Sequence, residues 1–332
     1  KNAKTQGAKA VKEISANVRF ALTGTPVENR LSELWSIFDF LMPGFLYSYR
    51  KFRERYELPI VKNQDPEALM ALRRMTGPFV LRRLKKDVLR ELPGKEERIV
   101  YSAASGRQQK LYTASALKLK EALAGGAWSG NGKLEVLSQL MRLRQICCDP
   151  ALCFEDYTGE SAKLETCVSL IASASAAGHK ILLFSQFASM LERIRERLLQ
   201  EGISSHLLVG ATPKEERSRM VQAFASDEVP VFLISLKAGG TGLNLTAADI
   251  VIHYDPWWNV AAQNQATDRA YRIGQEKPVT VYKLILKDTI EENLLKLQNA
   301  KLALAAQVVS EGMVSLGDLS QNELMELFEQ NP

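Results

Sequence analysis

Residues 235–275 read SLKAGGTGLNLTAADIVIHYDPWWNVAAQNQATDRAYRIGQ, and this stretch combines the features that decide the fold. It begins at the end of an apolar run, Val231 to Ser235, and passes through a glycine-rich loop. A second short apolar run follows at Asp249 to His253. Both runs are nearly continuous in apolar residues, which is typical of strands buried on both faces of a parallel sheet.

The end of this stretch predicts a helix with a polar face. Gln265, Arg269 and Arg272 are spaced four and three residues apart, so they would share one face of a helix that ends at Gly274. Each guanidinium offers a rigid fork of donors that suits phosphate oxygens. An R-x-x-R pair taken alone is more often a solvated basic face, and the alternative is a surface that binds a polyanion.

Strands and helices alternate from Lys180 onward. The patterns predict strands at 180–184, 205–209, 231–235, 249–253 and 279–286, with helices at 188–200 and 212–225. This alternation predicts an α/β fold with a parallel sheet flanked by helices. Two further helices, at 289–309 and 320–328, would brace the sheet.

The first half of the chain lacks this alternation of strands and helices. Residues 45–125 predict mainly helices, with one strand at 96–101. Nearer the start, the apolar run Val18 to Leu22 predicts a strand that ends in the turn Thr23-Gly24-Thr25-Pro26, followed by a helix at 31–41. A basic segment lies at 81–88, and taken alone it would be a solvated face.

Composition limits the class of protein. The 332 residues suffice for two compact domains, and 46% of them are hydrophobic, as in globular proteins. The net charge of +5 permits nucleic-acid binding without requiring it. No apolar run is long enough to span a bilayer, and the first residues lack the pattern of a signal peptide. The first residue is not Met, so we expect an excerpt of a longer protein.

The cysteines and histidines predict no metal site. Cys147, Cys148, Cys153 and Cys167 form no C-x-x-C pair, and the three histidines are scattered. We expect these cysteines to be reduced, which fits an intracellular protein of the cytoplasm, the nucleoid or the nucleus.

The sequence contains no complete site for ATP. It has no G-x-x-x-x-G-K-[ST] motif, and Gly132-Lys133 fails because Leu134 follows the Lys and no Gly lies five residues before Gly132. The acidic pair Asp227-Glu228 is followed by Val-Pro on a predicted loop, so we do not expect it to bind magnesium.

The ordered series of motifs resembles the Swi/Snf-type DNA translocases of helicase superfamily two. The fifth and sixth helicase motifs are matched by Ser235, Ala238-Gly239-Gly240, Gly242-Leu243-Asn244-Leu245, Asp255-Pro256-Trp257-Trp258-Asn259 and residues 265–275. The third motif is resembled by Thr23-Gly24-Thr25-Pro26, the fourth by Ser185-Gln186-Phe187, and an interlobe segment of the family by residues 81–88. Tyr271 and Val260 depart from the family pattern, but neither departure removes a charged group.

The resemblance implies an organisation in four parts. Residues 1–44 would be a remnant of the first RecA-like lobe, and residues 45–160 an all-helical insertion. Residues 161–290 would form the second RecA-like lobe, built on the parallel sheet, and residues 291–332 the bracing helices.

The resemblance also implies a function, as the C-terminal part of an ATP-dependent double-stranded DNA translocase. ATP with Mg²⁺ would be bound mainly by the first lobe, while Arg269 and Arg272 act as arginine fingers on its phosphates. The partners implied are double-stranded DNA and proteins bound to it. We expect a monomer that does not associate with membranes.

The site residues implied by the resemblance fall into two groups. Nucleotide binding or coupling is expected of Gly240, Gly242, Gln265, Asp268, Thr23 and Gly24. DNA contact is expected of Ser185, Gln186, Lys237, Thr241, Asn244, Trp257, Trp258, Arg82 and Arg83. For either tryptophan, the alternative is an aromatic side chain of the core.

Two other functions are compatible with the sequence. One is a strand-separating helicase of the same superfamily, although Trp257-Trp258 and residues 81–88 favour the translocase. The other is a non-catalytic DNA-binding or scaffold module, which would have no need of Arg269 and Arg272.

Overall fold

The computed structural model describes residues 5–23, 31–63, 65–81, 83, 89, 91–104, 106–125, 132–236, 238, 243–296 and 298. The chain forms two compact units, one up to residue 90 and the other from residue 91 to residue 298. Within the described ranges, no helix is long and apolar enough to cross a membrane.

The first unit is helical. Its helices are α1 (Gln6–Glu13), α2 (Leu31–Leu41), α3 (Tyr49–Phe52), α4 (Leu58–Asn63) and α5 (Pro66–Thr76), with a π-helical turn, Arg53–Glu57, between α3 and α4. The helix predicted at 31–41 is confirmed. Leu34 and Phe38 of α2 are buried against Phe52, Tyr56 and Leu72, so the helical spacing of the apolar residues does build a core.

The second unit contains a sheet of six strands. Its strands are β1 (Lys95–Ser102), β2 (Ile181–Ser185), β3 (Ser205–Leu208), β4 (Val231–Ser235), β5 (Ile250–His253) and β6 (Val279–Leu286). Its helices include α6 (Gly106–Ala124), α7 (Gly132–Cys148), α8 (Ala162–Ala176), α9 (Ala188–Gln200), α10 (Lys214–Ser226) and α11 (Val260–Thr267). Every predicted strand from residue 180 onward is confirmed to within one residue at each end.

The strand order is β1-β6-β5-β2-β4-β3, and every pairing is parallel. In register, Ser185 at the end of β2 lies opposite Ser235 at the end of β4. Parallel strands need crossover connections, and helices lie in the connections from β1 to β2, from β2 to β3, from β3 to β4 and from β5 to β6. The predicted α/β fold with a RecA-like parallel sheet is therefore confirmed.

The core lies on both faces of the sheet. Because side chains alternate along a strand, β2 places Ile181 and Leu183 in one apolar cluster and Leu182 and Phe184 in the other. Helices α8 and α9 cover the first face, while Phe224 of α10 packs on the second. All five residues of β2 and of β4 are buried, which explains why their sequences are continuous in apolar residues.

Strand β1 is one edge of this sheet and pairs with β6 from Lys95 opposite Val279 to Ser102 opposite Leu286. The strand predicted at 96–101 is thus confirmed. Its first five residues are exposed, and the charged sequence Lys-Glu-Glu-Arg protects an open edge from pairing with other chains. The division of the chain into four parts assigned this strand to the helical insertion. That division stays a prediction, but residues 95–102 belong to the sheet.

The strand predicted at Val18 to Leu22 is not formed. Val18 is 68%, Phe20 83% and Leu22 99% exposed, and no strand of the described residues pairs with them. An isolated strand leaves its backbone donors and acceptors unpaired, so the apolar pattern alone does not produce one.

The helix predicted from residue 289 onward begins at Ile290, and its continuation beyond residue 298 lies outside the described residues, as does the helix predicted at 320–328. The four cysteines are free.

Candidate functional site

The polar residues of interest follow the carboxyl ends of strands β2, β4 and β5. These three strands are neighbours in the sheet, so the segments that leave them meet at one edge. Segment 185–187 follows β2, segment 236–245 follows β4, and segment 254–259 follows β5. This edge is where a parallel sheet binds its ligands.

Ser185 and Asp255 connect two of these segments. The Ser185 hydroxyl donates to Asp255 Oδ1 at 2.5 Å, and the Gln186 N–H donates to the same oxygen at 3.3 Å. Ser185 is fully buried, so its hydroxyl serves this internal bond. Gln186 is half-buried and is the accessible member of the pair. For both residues, DNA contact stays a prediction.

Trp257 and Trp258 are half-buried, so neither is enclosed in the core. The backbone N–H of Trp257 donates to Gln263 Oε1 at 3.4 Å, and the backbone carbonyl oxygen of Trp257 accepts a hydrogen bond from the Gln298 amide. The Trp258 ring lies 5.2 Å from the guanidinium carbon of Arg144. The backbone of Trp257 and the ring of Trp258 are thus held at the edge of the unit, and both residues keep part of their surface accessible.

Arg144 is a buried residue at this edge of the sheet that the sequence motifs did not predict as a site residue. Its side chain is 1% exposed, and Nη1 donates to Gln186 Oε1 at 2.8 Å while Nη2 donates to the Pro256 carbonyl at 2.5 Å. Burial lowers the pKa of this guanidinium, and the carboxylate of Asp255, 3.7 Å away, opposes the shift. The sequence feature that could have indicated Arg144 is its position as a charged residue within the apolar stripe of a helix, one residue after Leu143.

The helix predicted to carry Arg269 and Arg272 ends earlier than expected. Helix α11 ends at Thr267, and both arginines lie on the turns that follow. The Arg269 carbonyl accepts from the Leu245 N–H at 3.0 Å, and the Ala270 carbonyl accepts from the Gln275 amide at 3.1 Å. Since these bonds use the oxygens that would have continued the helix, the prediction of one shared helical face is wrong.

The structure nevertheless gathers positive charge here. Burial and the neighbouring Arg272 lower the pKa of Arg269, while Asp268 opposes the shift and Arg217 of α10 adds to it. Arg272 Nη1 donates to the Leu243 carbonyl at 3.2 Å, and Arg217 Nη2 donates to the Ala238 carbonyl at 2.5 Å. We call Arg217, Arg269 and Arg272 the arginine cluster. Arg217 was not predicted, because it lies on a different helix.

Gln275 fixes the turns that carry the cluster. Its amide nitrogen donates to the carbonyls of Thr246, Ala248 and Ala270 at 3.1, 2.8 and 3.1 Å, and its oxygen accepts from the Lys277 N–H. One buried side chain therefore ties the segment after β4 to the turns after α11.

The remaining predicted site residues divide by whether the structure describes them. Gln265 and Asp268 are half-buried, and Asn244, Arg83 and Thr23 are exposed. Gly24, Arg82, Lys237, Gly240, Thr241 and Gly242 lie outside the described residues. In the described part of the chain, no group of three or more His, Cys, Asp or Glu side chains could hold a metal ion.

The chain matches two family models in sequence order. The first is the SNF2-related domain, over residues 1–152, and the second is the helicase conserved C-terminal domain, over residues 162–274. The boundary between the two matches falls after α7, at the start of α8.

Relatives match nearly the whole chain. An ATP-dependent helicase/translocase of Bacillus subtilis, YwqA, is 42% identical over 99% of this chain and 36% of its own length. The mouse SWI/SNF-related matrix-associated actin-dependent regulator of chromatin subfamily A member 1 is 34% identical over 99% of this chain and 33% of its own length. The chain thus spans about a third of these relatives, as their matched lengths show.

A solved structure agrees with the sequence matches. The SWI2/SNF2 ATPase core of Sulfolobus solfataricus in complex with double-stranded DNA is 36% identical, with a TM-score of 0.61. The match covers 99% of this chain and 70% of that one. Family models, relatives and fold therefore agree, and the chain belongs to the SWI2/SNF2 family.

Proposed function

We propose that this chain is part of an ATP-dependent translocase on double-stranded DNA, to which it contributes arginine fingers and DNA contacts. The observation that carries the proposal is the arginine cluster, in which three guanidinium groups converge beside the segment after β4. Like charges near one another repel, and a bound anion would relieve that repulsion, which supports an anionic ligand.

The anion proposed for the cluster is the phosphate chain of ATP. Bound ATP would supply the phosphoryl group that is transferred to water, with Mg²⁺ neutralising part of its charge. The Arg272 guanidinium donates to the Leu243 carbonyl, and the Arg269 carbonyl accepts from the Leu245 N–H, which supports a site that is ordered before a ligand binds. Gln265 and Asp268, next to Arg269, would take part in nucleotide binding or coupling.

ATP and Mg²⁺ would be bound mainly by residues of a first lobe outside this sequence. The chain has no P-loop motif, and its described residues include no cluster of metal ligands. We therefore propose that the cluster completes a site whose other side lies elsewhere in the longer protein. The proposal includes a monomeric, intracellular protein that does not associate with membranes.

The proposed DNA surface is formed by Gln186, Asn244, Trp257 and Trp258. All four follow strands β2, β4 and β5, and all are at least partly accessible. Amide donors and tryptophan rings suit contacts to the phosphate backbone, which position a protein without reading sequence. The family member solved with double-stranded DNA supports a duplex as the ligand, and proteins bound to that DNA are the proposed targets.

The test is ATP hydrolysis by the full-length protein that carries this chain, with duplex DNA, with single-stranded DNA and without DNA. We expect duplex DNA to stimulate hydrolysis more than single-stranded DNA, and we expect no separation of the strands. Stimulation together with strand separation would support the helicase alternative, and absence of hydrolysis would support the scaffold alternative.

A further inference from the structure

Arg144 lies inside the second unit, although its segment contains no predicted site residue. It is placed on α7 within the stripe of Leu140, Leu143 and Cys147, all of which are buried. A buried guanidinium is destabilising unless its charge and its N–H groups find partners. The partners of Arg144 therefore indicate what its burial achieves.

Those partners belong to the two segments that we propose as DNA contacts. Nη1 donates to the side-chain oxygen of Gln186 at 2.8 Å, and Nη2 donates to the backbone oxygen of Pro256 at 2.5 Å. The same guanidinium lies 3.7 Å from Asp255 and 5.2 Å from the ring of Trp258. One planar group thus joins the segment after β2 to the segment after β5.

The contact with Gln186 also sets the orientation of its amide. Because the oxygen accepts from Arg144, the amide nitrogen is the atom that remains for another partner. Among the described residues, neither Gln186 Nε2 nor Trp258 Nε1 has a hydrogen-bond acceptor. Buried donors without acceptors are destabilising, so both would gain from a phosphate oxygen that came within reach after a small side-chain rotation.

We propose that Arg144 is a positioning residue, which holds Gln186 and Trp258 in one arrangement so that they contact the same DNA backbone. The proposal rests on the proposed function, because it takes Gln186 and Trp258 as DNA contacts. Arg144 itself does not touch the DNA. Its planar fork supplies two donors at a fixed angle, which the single ammonium of a lysine does not.

The backbone around Arg144 is anchored by other buried contacts. The Tyr254 hydroxyl donates to the Cys148 carbonyl at 2.8 Å, and the Ser161 hydroxyl donates to the same oxygen at 3.0 Å. Nearby, the buried Lys163 forms an ion pair with Glu291 at 2.7 Å. The Tyr254 hydroxyl provides a matched control, because its hydrogen bond goes to the Cys148 carbonyl of the same core and not to a proposed DNA contact.

The test compares Arg144→Lys and Tyr254→Phe in the full-length protein. Each variant removes buried hydrogen bonding, and thermal unfolding shows how far each is destabilised. For Arg144→Lys we expect the duplex concentration that half-saturates ATP hydrolysis to rise roughly tenfold, since a lost bond to a charged group is worth about that factor. The rate at saturating DNA and the rate without DNA should not change. For Tyr254→Phe we expect no change in any of these three quantities.

Fluorine NMR of protein labelled with fluorotryptophan gives a second readout that needs no DNA. Arg144→Lys should shift the resonances of Trp257 and Trp258 and leave that of Trp35 unchanged, whereas Tyr254→Phe should shift none of them. The proposal is overturned if Arg144→Lys lowers only the unfolding temperature and matches Tyr254→Phe in both readouts. A fluorine shift in protein that fails to bind duplex DNA would support the positioning role and overturn the proposed function.

Discussion

Arg144 and the arginine cluster are two opposite uses of the guanidinium group at the same end of one sheet. Arg144 is 1% exposed, lies beside Asp255, and bonds to Gln186 and Pro256. The cluster brings three half-buried arginines together, and its neighbouring acid is Asp268. The buried charge of Arg144 lies beside an opposite charge, whereas each arginine of the cluster lies near like charges. The first arrangement shapes a surface, and the second favours an anionic ligand.

The largest effect that would test this contrast concerns catalysis. Arg272→Ala in the full-length protein should lower the rate of ATP hydrolysis by about 1,000-fold or more, the range of an arginine finger. The free energy of unfolding should hardly change, because relief of repulsion offsets the lost bond to Leu243. Steady-state hydrolysis with saturating duplex DNA measures the effect.

The matched control for that experiment is Arg98→Ala. Arg98 is an exposed arginine on β1 that pairs with Glu96 at 2.9 Å, so its loss removes the same charge from the same unit. If both variants lowered the rate alike, the arginine cluster would have no special role in hydrolysis.

The next effect concerns stability, and here the larger effect is expected at Arg144 and the smaller one at the arginine cluster. Arg144→Ala should lower the free energy of unfolding by about 3–5 kcal/mol, because it leaves Asp255 buried with its counter-charge removed. Arg272→Ala in the same urea titration should change it by no more than about 0.5 kcal/mol, as is usual for substitutions outside a core. Equal losses for the two variants would contradict the distinction between a neutralised arginine and a ligand-binding one.

The smallest effect concerns pH and involves His253, which links the two sites. Its ring stacks on Phe184, just before Ser185, and its Nε2 lies 2.9 Å from Thr267 Oγ1, just before the arginine turns. Burial and the charge of Lys283 lower the pKa of His253 to about 3. In the unfolded chain the same ring binds a proton below a pKa of about 6.5.

As the pH falls, His253 therefore binds a proton in the unfolded chain before it does so in the folded one, and this stabilises the unfolded state relative to the folded state. The contribution of His253 to stability is fully present above pH 6.5 and is lost as the pH falls toward 3, with a loss of about 2 kcal/mol at pH 5. Urea titrations at pH 7.5 and pH 5 measure this loss. In His253→Gln, the free energy of unfolding should differ less between the two pH values than in the unmodified protein. If the difference were the same in both proteins, groups other than His253 would cause the loss.

How far the sequence predicts this molecule depends on the range of the interactions involved. Strands β2 and β4 are predicted almost to the residue, because burial on both faces leaves a continuous apolar run. The helix carrying Arg269 is predicted too long, because bonds from Leu245 and Gln275 end it, and no local pattern shows the bond from Leu245, which lies 24 residues before Arg269. Val18 to Leu22 has the local pattern of a strand but pairs with no strand of the described residues.

The residues of the candidate site also differ in whether local sequence or the fold identifies them. Arg269, Arg272 and Trp258 are predicted as site residues from motifs that are continuous in sequence, and their roles stay predictions. Arg144 and Arg217 come from other helices, and only the fold brings them to the segments that they contact. Their identification needs distances that one sequence does not supply.

The buried contacts around Arg144 have a consequence for the order of events during folding. The bond from Arg144 to Pro256 joins residues 112 positions apart, the pair Lys163–Glu291 joins residues 128 apart, and the bond from Ile290 to Tyr112 joins residues 178 apart. Contacts of such high sequence separation form late, because the loops that they close are long. A nascent or partly folded chain would therefore lack the proposed DNA surface, and DNA binding would report completed folding of the unit.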